Sequence, residues 1–431
     1  MRALAAAILT TAVPMIVGQR WISGPLVVRW SLGAVLGIVV LAIGGLLGGL
    51  AGSPVLGAGL TLVVGWVLGP RLRCEAGAQI LSPLAARILL FIFGVGLALM
   101  IMSLFRPVAS WDAWFTWSIK SKGLAVAGSF DAPVFLSRSY YWTSPSYPTL
   151  LPSWQALAYI VSGDLSIGWP LQFQQAWLWT AGAIALVTLC DADSRGGFLL
   201  PLAWIIAPLV VWQSMQGYAD VPMALPLILG TLVLRTRLFD VRSHVVAGVL
   251  LAGAALTKAE GLPLVAAVLL CLLAMRKPTV TALLAPTIVL AAWLPWFVFT
   301  QRHGIASYMV SVPMVTALLL GNVPSHLPQV AWIMGSTIFS PLRWGLLVPA
   351  CLITALIARR LDARLGLTTV LQLLLFLVVY DVAGSHQGGG LDHFMAKNVD
   401  RILITPLGIL ALSVGLGSRA TSSPPVATPQ V

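Results

Sequence analysis

Residues 31–50 read SLGAVLGIVVLAIGGLLGGL, from Ser31 to Leu50, a run of twenty positions without a charge. At about 1.5 Å per residue such a helix is about 30 Å long, the thickness of the hydrocarbon core of a bilayer. Further apolar runs follow the same rhythm near 3–17, 54–69, 86–105, 168–190, 197–213, 218–234, 244–257, 261–275, 279–300, 344–358, 366–384 and 401–417. The sequence therefore predicts an all-α polytopic membrane protein with about 13 transmembrane helices. Two shorter apolar stretches, 149–162 and 305–320, lie within longer connections and are expected as juxtamembrane or re-entrant helices.

Composition points the same way. Of 431 residues, 25 are Lys or Arg and 13 are Asp or Glu, so 9% are charged against 59% hydrophobic. Soluble domains are about 25% charged, which excludes a soluble enzyme, and an outer-membrane barrel would alternate in short strands. The net charge of +12 would suggest nucleic acid in a soluble protein. Here the basic residues sit mostly in connections, so lipid phosphates and the membrane potential are the expected partners, and nucleic acid is not. Cys74, Cys190, Cys271 and Cys351 form no CxxC pair, so neither a disulfide framework nor a zinc site is indicated. The Ser/Thr/Pro-rich tail 418–431 is expected to be disordered.

Positive charge is retained on the cytoplasmic side of short loops. With Asp112 facing outward, fifteen of the 25 Lys/Arg fall in the inner connections 18–30, 70–85, 191–196, 235–243, 276–278, 359–365 and the tail, counting Arg87 at the edge of one of them. Counting 149–162 as a span would invert everything downstream and move Arg235, Arg237, Arg242, Arg359, Arg360 and Arg364 outside. Parity puts the N-terminus outside, whereas Arg2 before an apolar run resembles a signal or anchor start, which would put it inside. Eight of the 13 acids then face outward: Asp112, Asp131, Asp164, Asp220, Glu260, Asp381, Asp392 and Asp400. Clustering of costly charges at one face points to a reaction centre there and not to a conduit.

The most informative outer segment is Ser110-Trp111-Asp112-Ala113-Trp114-Phe115-Thr116-Trp117-Ser118-Ile119-Lys120-Ser121-Lys122. Tryptophan favours the headgroup level and lysines snorkel there, so an aromatic belt is the competing structural reading. A belt gives no reason for Asp112, which gains nothing among aromatic rings unless it meets a cation, a metal or a hydroxyl proton. Asp220, in Gly217-Tyr218-Ala219-Asp220-Val221-Pro222, fits either a helix cap or a site. Lys258 and Glu260, in Thr257-Lys258-Ala259-Glu260-Gly261, fit either a surface pair or the same site. The loop from Ser385 to Arg401 holds His386, Asp392, His393 and Lys397, whose spacing matches no known metal site.

These segments, with Tyr147-Pro148-Thr149-Leu150-Leu151-Pro152 between them, resemble successive landmarks of bacterial GT-C-type glycosyltransferases. Those enzymes are multi-spanning relatives of dolichyl-phosphate-mannose protein mannosyltransferases and of the lipid A aminoarabinose transferase. The resemblance runs from about residue 86 to 410. It implies N-terminal extra helices in 1–85 and a GT-C-like catalytic domain in 86–417 with outer loops 106–167, 301–343 and 385–400. It further implies an essential acid at Asp112, a donor phosphate held by Lys120, Lys122, Lys258 and Arg401, and a substrate cavity of Trp111, Trp114, Tyr147, Tyr218, Asp220, Glu260 and His393. The family's common acidic pair is absent, since Asp112 is followed by Ala113 and Trp114; a divalent metal is left open and no other cofactor is indicated. The implied reaction moves a sugar from a polyprenyl-phosphate-linked donor to an outer-face lipid or glycan acceptor by inverting displacement, at the outer face of a bacterial inner membrane. No P-loop or Gly-rich helix start supports a nucleotide-sugar donor. The alternative class is a secondary transporter or lipid flippase, against which stand the missing internal repeat, the long outer loop and the scarcity of acids at mid-membrane.

Overall fold

The computed structural model describes residues 1–417 except 76–80, 195, 237–239, 275–279, 306–315, 317–319, 321–324, 358–360 and 387–390. The chain runs α1 (Arg2–Leu9), α2 (Ala12–Gly18), α3 (Leu26–Leu50), α4 (Pro54–Leu68), α5 (Pro83–Ser103), α6 (Ile119–Ala127) and α7 (Pro133–Leu136). It continues through α8 (Leu150–Ser162), α9 (Trp169–Asp193), α10 (Leu199–Ile205), α11 (Pro208–Gln213), α12 (Asp220–Thr236), α13 (Val241–Ala255) and α14 (Gly261–Ala274). The last third is α15 (Leu284–Arg302), α16 (Leu327–Ile338), α17 (Pro341–Trp344), α18 (Leu347–Ile357), α19 (Ala363–His386), α20 (Leu391–Ile402) and α21 (Ile404–Gly415). The β structure among the described residues is one parallel pairing of Ile22–Ser23 with Cys74–Glu75.

Among the described residues, seven helical stretches are long and apolar enough to cross a membrane: Arg2–Trp21, Leu26–Leu50, Pro83–Ser103, Trp169–Asp193, Thr281–Arg302, Ala363–Val382 and Asn398–Gly415. The expected spans at 54–69, 244–257, 261–275 and 344–358 coincide with shorter apolar helices. Large side chains left exposed on α4, α5, α15 and α19, such as Val63, Phe91, Leu294 and Leu374, are apolar. An exposed apolar surface of this extent fits a lipid surround and not water.

One expectation needs correcting, and two of the expected outer loops carry helix. The span 197–213 is two short helices, α10 and α11, because Pro208 cannot donate a backbone hydrogen bond and restarts the helix. The loop 385–400 is helical from Leu391 onward. The long connection 106–167 is mostly helix; it carries the short helix expected at 149–162 as the 13-residue α8, which is almost wholly buried among α1, α3 and α6. The tail 418–431, and the stretch 305–320 apart from residues 305, 316 and 320, lie outside the described residues.

Proline also explains the break between α1 and α2. Pro14 has no N–H for the carbonyl of Thr10, and the Trp154 indole donates to that carbonyl at 3.0 Å. Near Pro341 the Thr337 carbonyl accepts both the Ser340 N–H and the Trp344 indole, each at 3.1 Å. Where no water is present, a freed carbonyl must find another donor, and indoles supply it.

Glycine lets α3 sit inside the bundle. A Cβ on Gly37 would lie 1.8 Å from the Pro14 carbonyl oxygen, and one on Gly48 would lie 2.3 Å from that of Ser53. The backbones of α2, α3 and α4 therefore touch, as small residues permit between membrane helices. On its other sides α3 packs against α8, α9 and α13, so the N-terminal helices are built into the bundle that carries residues 86–417.

Polar contacts gather at two opposite ends of the bundle. At one end Arg235 pairs with Asp193 and Asp362, each at 2.8 Å, Asp191 accepts from Ser82, and Cys74 lies 3.1 Å from Ser243. At the other lie Asp112, Asp220, Lys258, Glu260 and Arg401. Helix α12 runs from Asp220 in one group to Arg235 in the other, and α9 from Gln175, bonded beside Asp220 at Gly217 and Tyr218, to Asp193. The Arg2 Nη1 lies 4.0 Å from the position of a Cβ on Gly163, at the end of α8.

Candidate functional site

Asp112 opens a six-residue π-helical turn, Ala113–Ser118, a wide turn often found at functional sites. Ser110 fastens this segment to the start of α12 by donating to the Gln216 side chain at 2.5 Å. There the chain reverses at Gly217, whose φ of +81° favours glycine. Gln175 from α9 brackets the turn, accepting from the Gly217 N–H at 3.0 Å and donating to the Tyr218 carbonyl at 2.8 Å. The turn delivers Asp220 to the bundle interior. Lys258 and Glu260 arrive on the turn between α13 and α14. That turn is tight because a Cβ on Gly261 would lie 2.1 Å from the Ala254 carbonyl oxygen.

These elements converge on one ion-pair network. The Arg401 Nη1 meets Asp112 Oδ2 at 2.5 Å and its Nε meets Asp220 Oδ2 at 3.0 Å. The Lys258 ammonium meets Asp220 Oδ1 at 3.0 Å and Glu260 Oε1 at 3.3 Å. The face of the guanidinium lies 4.3 Å from the centroid of Tyr218, a cation–π arrangement. Asp220 thus holds both cations and has no exposed surface, whereas the Asp112 side chain is 32% exposed. Burial works against the Lys258 charge, but Asp220 and Glu260 together hold its pKa above the ordinary lysine value. Glu260 Oε2 is buried and has no hydrogen-bond partner among the described residues.

The other two lysines stand apart from this network. Lys120 is fully buried, donates to the Ser144 carbonyl at 2.6 Å and lies over the rings of Trp117 and Tyr147. Burial pushes its pKa down to about 7, against a smaller opposing pull from Asp112. Lys122 stacks on Trp114 at 4.3 Å. Tyr147 is buried and stacks on Trp117. Trp111 is exposed and stacks on Phe115 at 3.9 Å. The backbone of His393 lies in α20, and its side chain is outside the described residues.

Sequence reasoning missed Gln175, Gln216 and the pairing of Arg343 with Asp400 at 3.8 Å. A signal for the first was present, because Gln172, Gln174 and Gln175 interrupt an otherwise apolar span. Among the described residues no cluster of three His, Cys, Asp or Glu is arranged to hold a metal ion. No family model matches the chain, and neither a curated protein nor a solved structure does.

Proposed function

We propose that the protein is an integral-membrane glycosyltransferase of GT-C type, acting at the extracytoplasmic face of a bacterial inner membrane. Its donor is a polyprenyl-phosphate-linked sugar and its acceptor a lipid or glycan hydroxyl. The observation that carries this reading is the convergence of four separate segments, WDAW, GYADVP, TKAEG and the start of the last span, on one ion-pair network at one end of the bundle. Separate landmarks of a catalytic centre are expected to converge in this way. A transporter would instead place carboxylates along the path through the bilayer, and the described carboxylate pairings lie toward the two ends.

In this mechanism the acceptor hydroxyl gives its proton to the Asp112 carboxylate while its oxygen attacks the anomeric carbon. The bond from that carbon to the phosphate oxygen breaks on the opposite side, and its electron pair leaves with the polyprenyl phosphate. Arg401 meets the growing negative charge with a planar pair of donors, and Lys258 adds positive potential beside it. Asp220 orients Arg401 and Lys258. Trp111 and Trp114, which are exposed, and Tyr218, which is half-buried, flank the approach.

The test is reconstitution in liposomes with labelled polyprenyl-phosphate hexoses and pentoses and a membrane extract supplying acceptors. Release of polyprenyl phosphate together with labelled acceptor is expected. Failure to consume every such donor, under conditions where the protein remains folded, would overturn the reading.

A further inference from the structure

We propose that the pairing of Asp112 with Arg401 is an exchangeable latch, in which the anionic head of the donor takes over the guanidinium edge now held by Asp112 and so releases Asp112 to accept a proton. The inference rests on the transferase reading and adds an order of events to it.

It follows from the unequal surroundings of the two carboxylates on Arg401. Asp220 is fully enclosed and shared with Lys258 at 3.0 Å, so displacing it would take a carboxylate from two buried cations at once. Asp112 is 32% exposed and its described ion pair is to Arg401 alone, through the outer nitrogen Nη1. Tyr218 covers one face of the guanidinium. An arriving anion therefore competes for the position of Asp112 and leaves Asp220 in place. The fixed contact keeps Arg401 aimed while the outer contact changes hands.

The latch also sets when Asp112 can act. Protonating Asp112 inside the ion pair would leave one Arg401 contact uncompensated in a nearly buried setting, since the Arg401 side chain is only 10% exposed. Once a phosphate oxygen occupies that edge, proton acceptance by Asp112 strands nothing. Donor binding then comes before acceptor activation, and the base stays masked while the phosphate site is empty.

The experiment measures binding of farnesyl phosphate to the detergent-solubilised full chain, with farnesol as the uncharged control. The wild type should bind the phosphate and not the alcohol. Asp112→Asn removes the competitor and should tighten phosphate binding about tenfold or more, because a charge-assisted hydrogen bond no longer has to be given up. Asp164→Asn, which removes a carboxylate outside the network, should leave affinity unchanged. A gain of affinity cannot come from misfolding, so the test survives a destabilised variant. Equal or weaker binding by Asp112→Asn, or an equal gain from Asp164→Asn, would overturn the latch and leave the transferase reading standing. Absence of phosphate binding in the wild type would overturn both.

Discussion

Asp220 and Asp112 carry the same charge and share a partner, yet their burial gives them different energetic roles. Removing one member of a buried ion pair leaves its partner uncompensated and costs about 3–5 kcal/mol. Asp220→Ala is therefore expected to lower thermal stability in detergent by that amount. Asp112→Asn, at a 32% exposed position and with Arg401 still held by Asp220, should cost clearly less. Melting curves of the two variants decide the matter, and equal losses would contradict the difference in roles. Lys120 makes a separate prediction in pH. Its pKa is near 7 in the folded chain and about 10.4 when unfolded, so between these values the unfolded state binds more protons and stability rises with pH. The penalty is fully present below pH 7. Lys120→Met should be the more stable of the two at pH 6, and its advantage should shrink toward pH 10. A constant difference across that range would show that Lys120 is not a buried amine.

At the scale of elements, apolar runs and prolines were legible because each acts through its neighbours in sequence. Run length located most helices, and Pro148 with Pro152 marked the start of α8. The burial of α8 was not legible, since it depends on α1 and α3, which are far away in the chain. The break before Pro208 was hidden by an apolar run that continues across it. Helix contacts were equally hidden, because glycine spacing within α3 does not name the helix it meets. The structure makes that contact testable. Gly37→Ala forces a methyl group against the Pro14 carbonyl and should destabilise the α2–α3 packing by about 1–3 kcal/mol or more. Gly59→Ala, where nothing lies within 4 Å, should be neutral or stabilising by less than about 1 kcal/mol. Detergent-resistance assays on the pair would contradict the packing if Gly37→Ala proved as stable as Gly59→Ala.

At the scale of the molecule, counting Lys and Arg sorts the charges into two expected groups, and the contacts gather Asp112, Asp220, Lys258, Glu260 and Arg401 at one end of α12 and Arg235, Asp193 and Asp362 at the other. Asp112, Asp220, Lys258, Glu260 and Arg401 were legible as one group because each lies at the end of an apolar run, where parity assigns a side. Their pairing was not legible. Arg401 and Lys258 were expected to face a phosphate, whereas in this structure they are held by carboxylates, and only folded proximity tells which carboxylates. Gln175 was overlooked because a single amide within an apolar span carries no charge to count. The central claim is that this network is a sugar-transfer site with Asp112 as its base. It is tested most directly by turnover of a polyprenyl-phosphate-linked sugar in proteoliposomes, comparing wild type with Asp112→Asn. Loss of at least about a hundredfold, the usual contribution of a general base, with folding unchanged, is the predicted result; turnover within about threefold of wild type, a barrier change under about 1 kcal/mol, would contradict it.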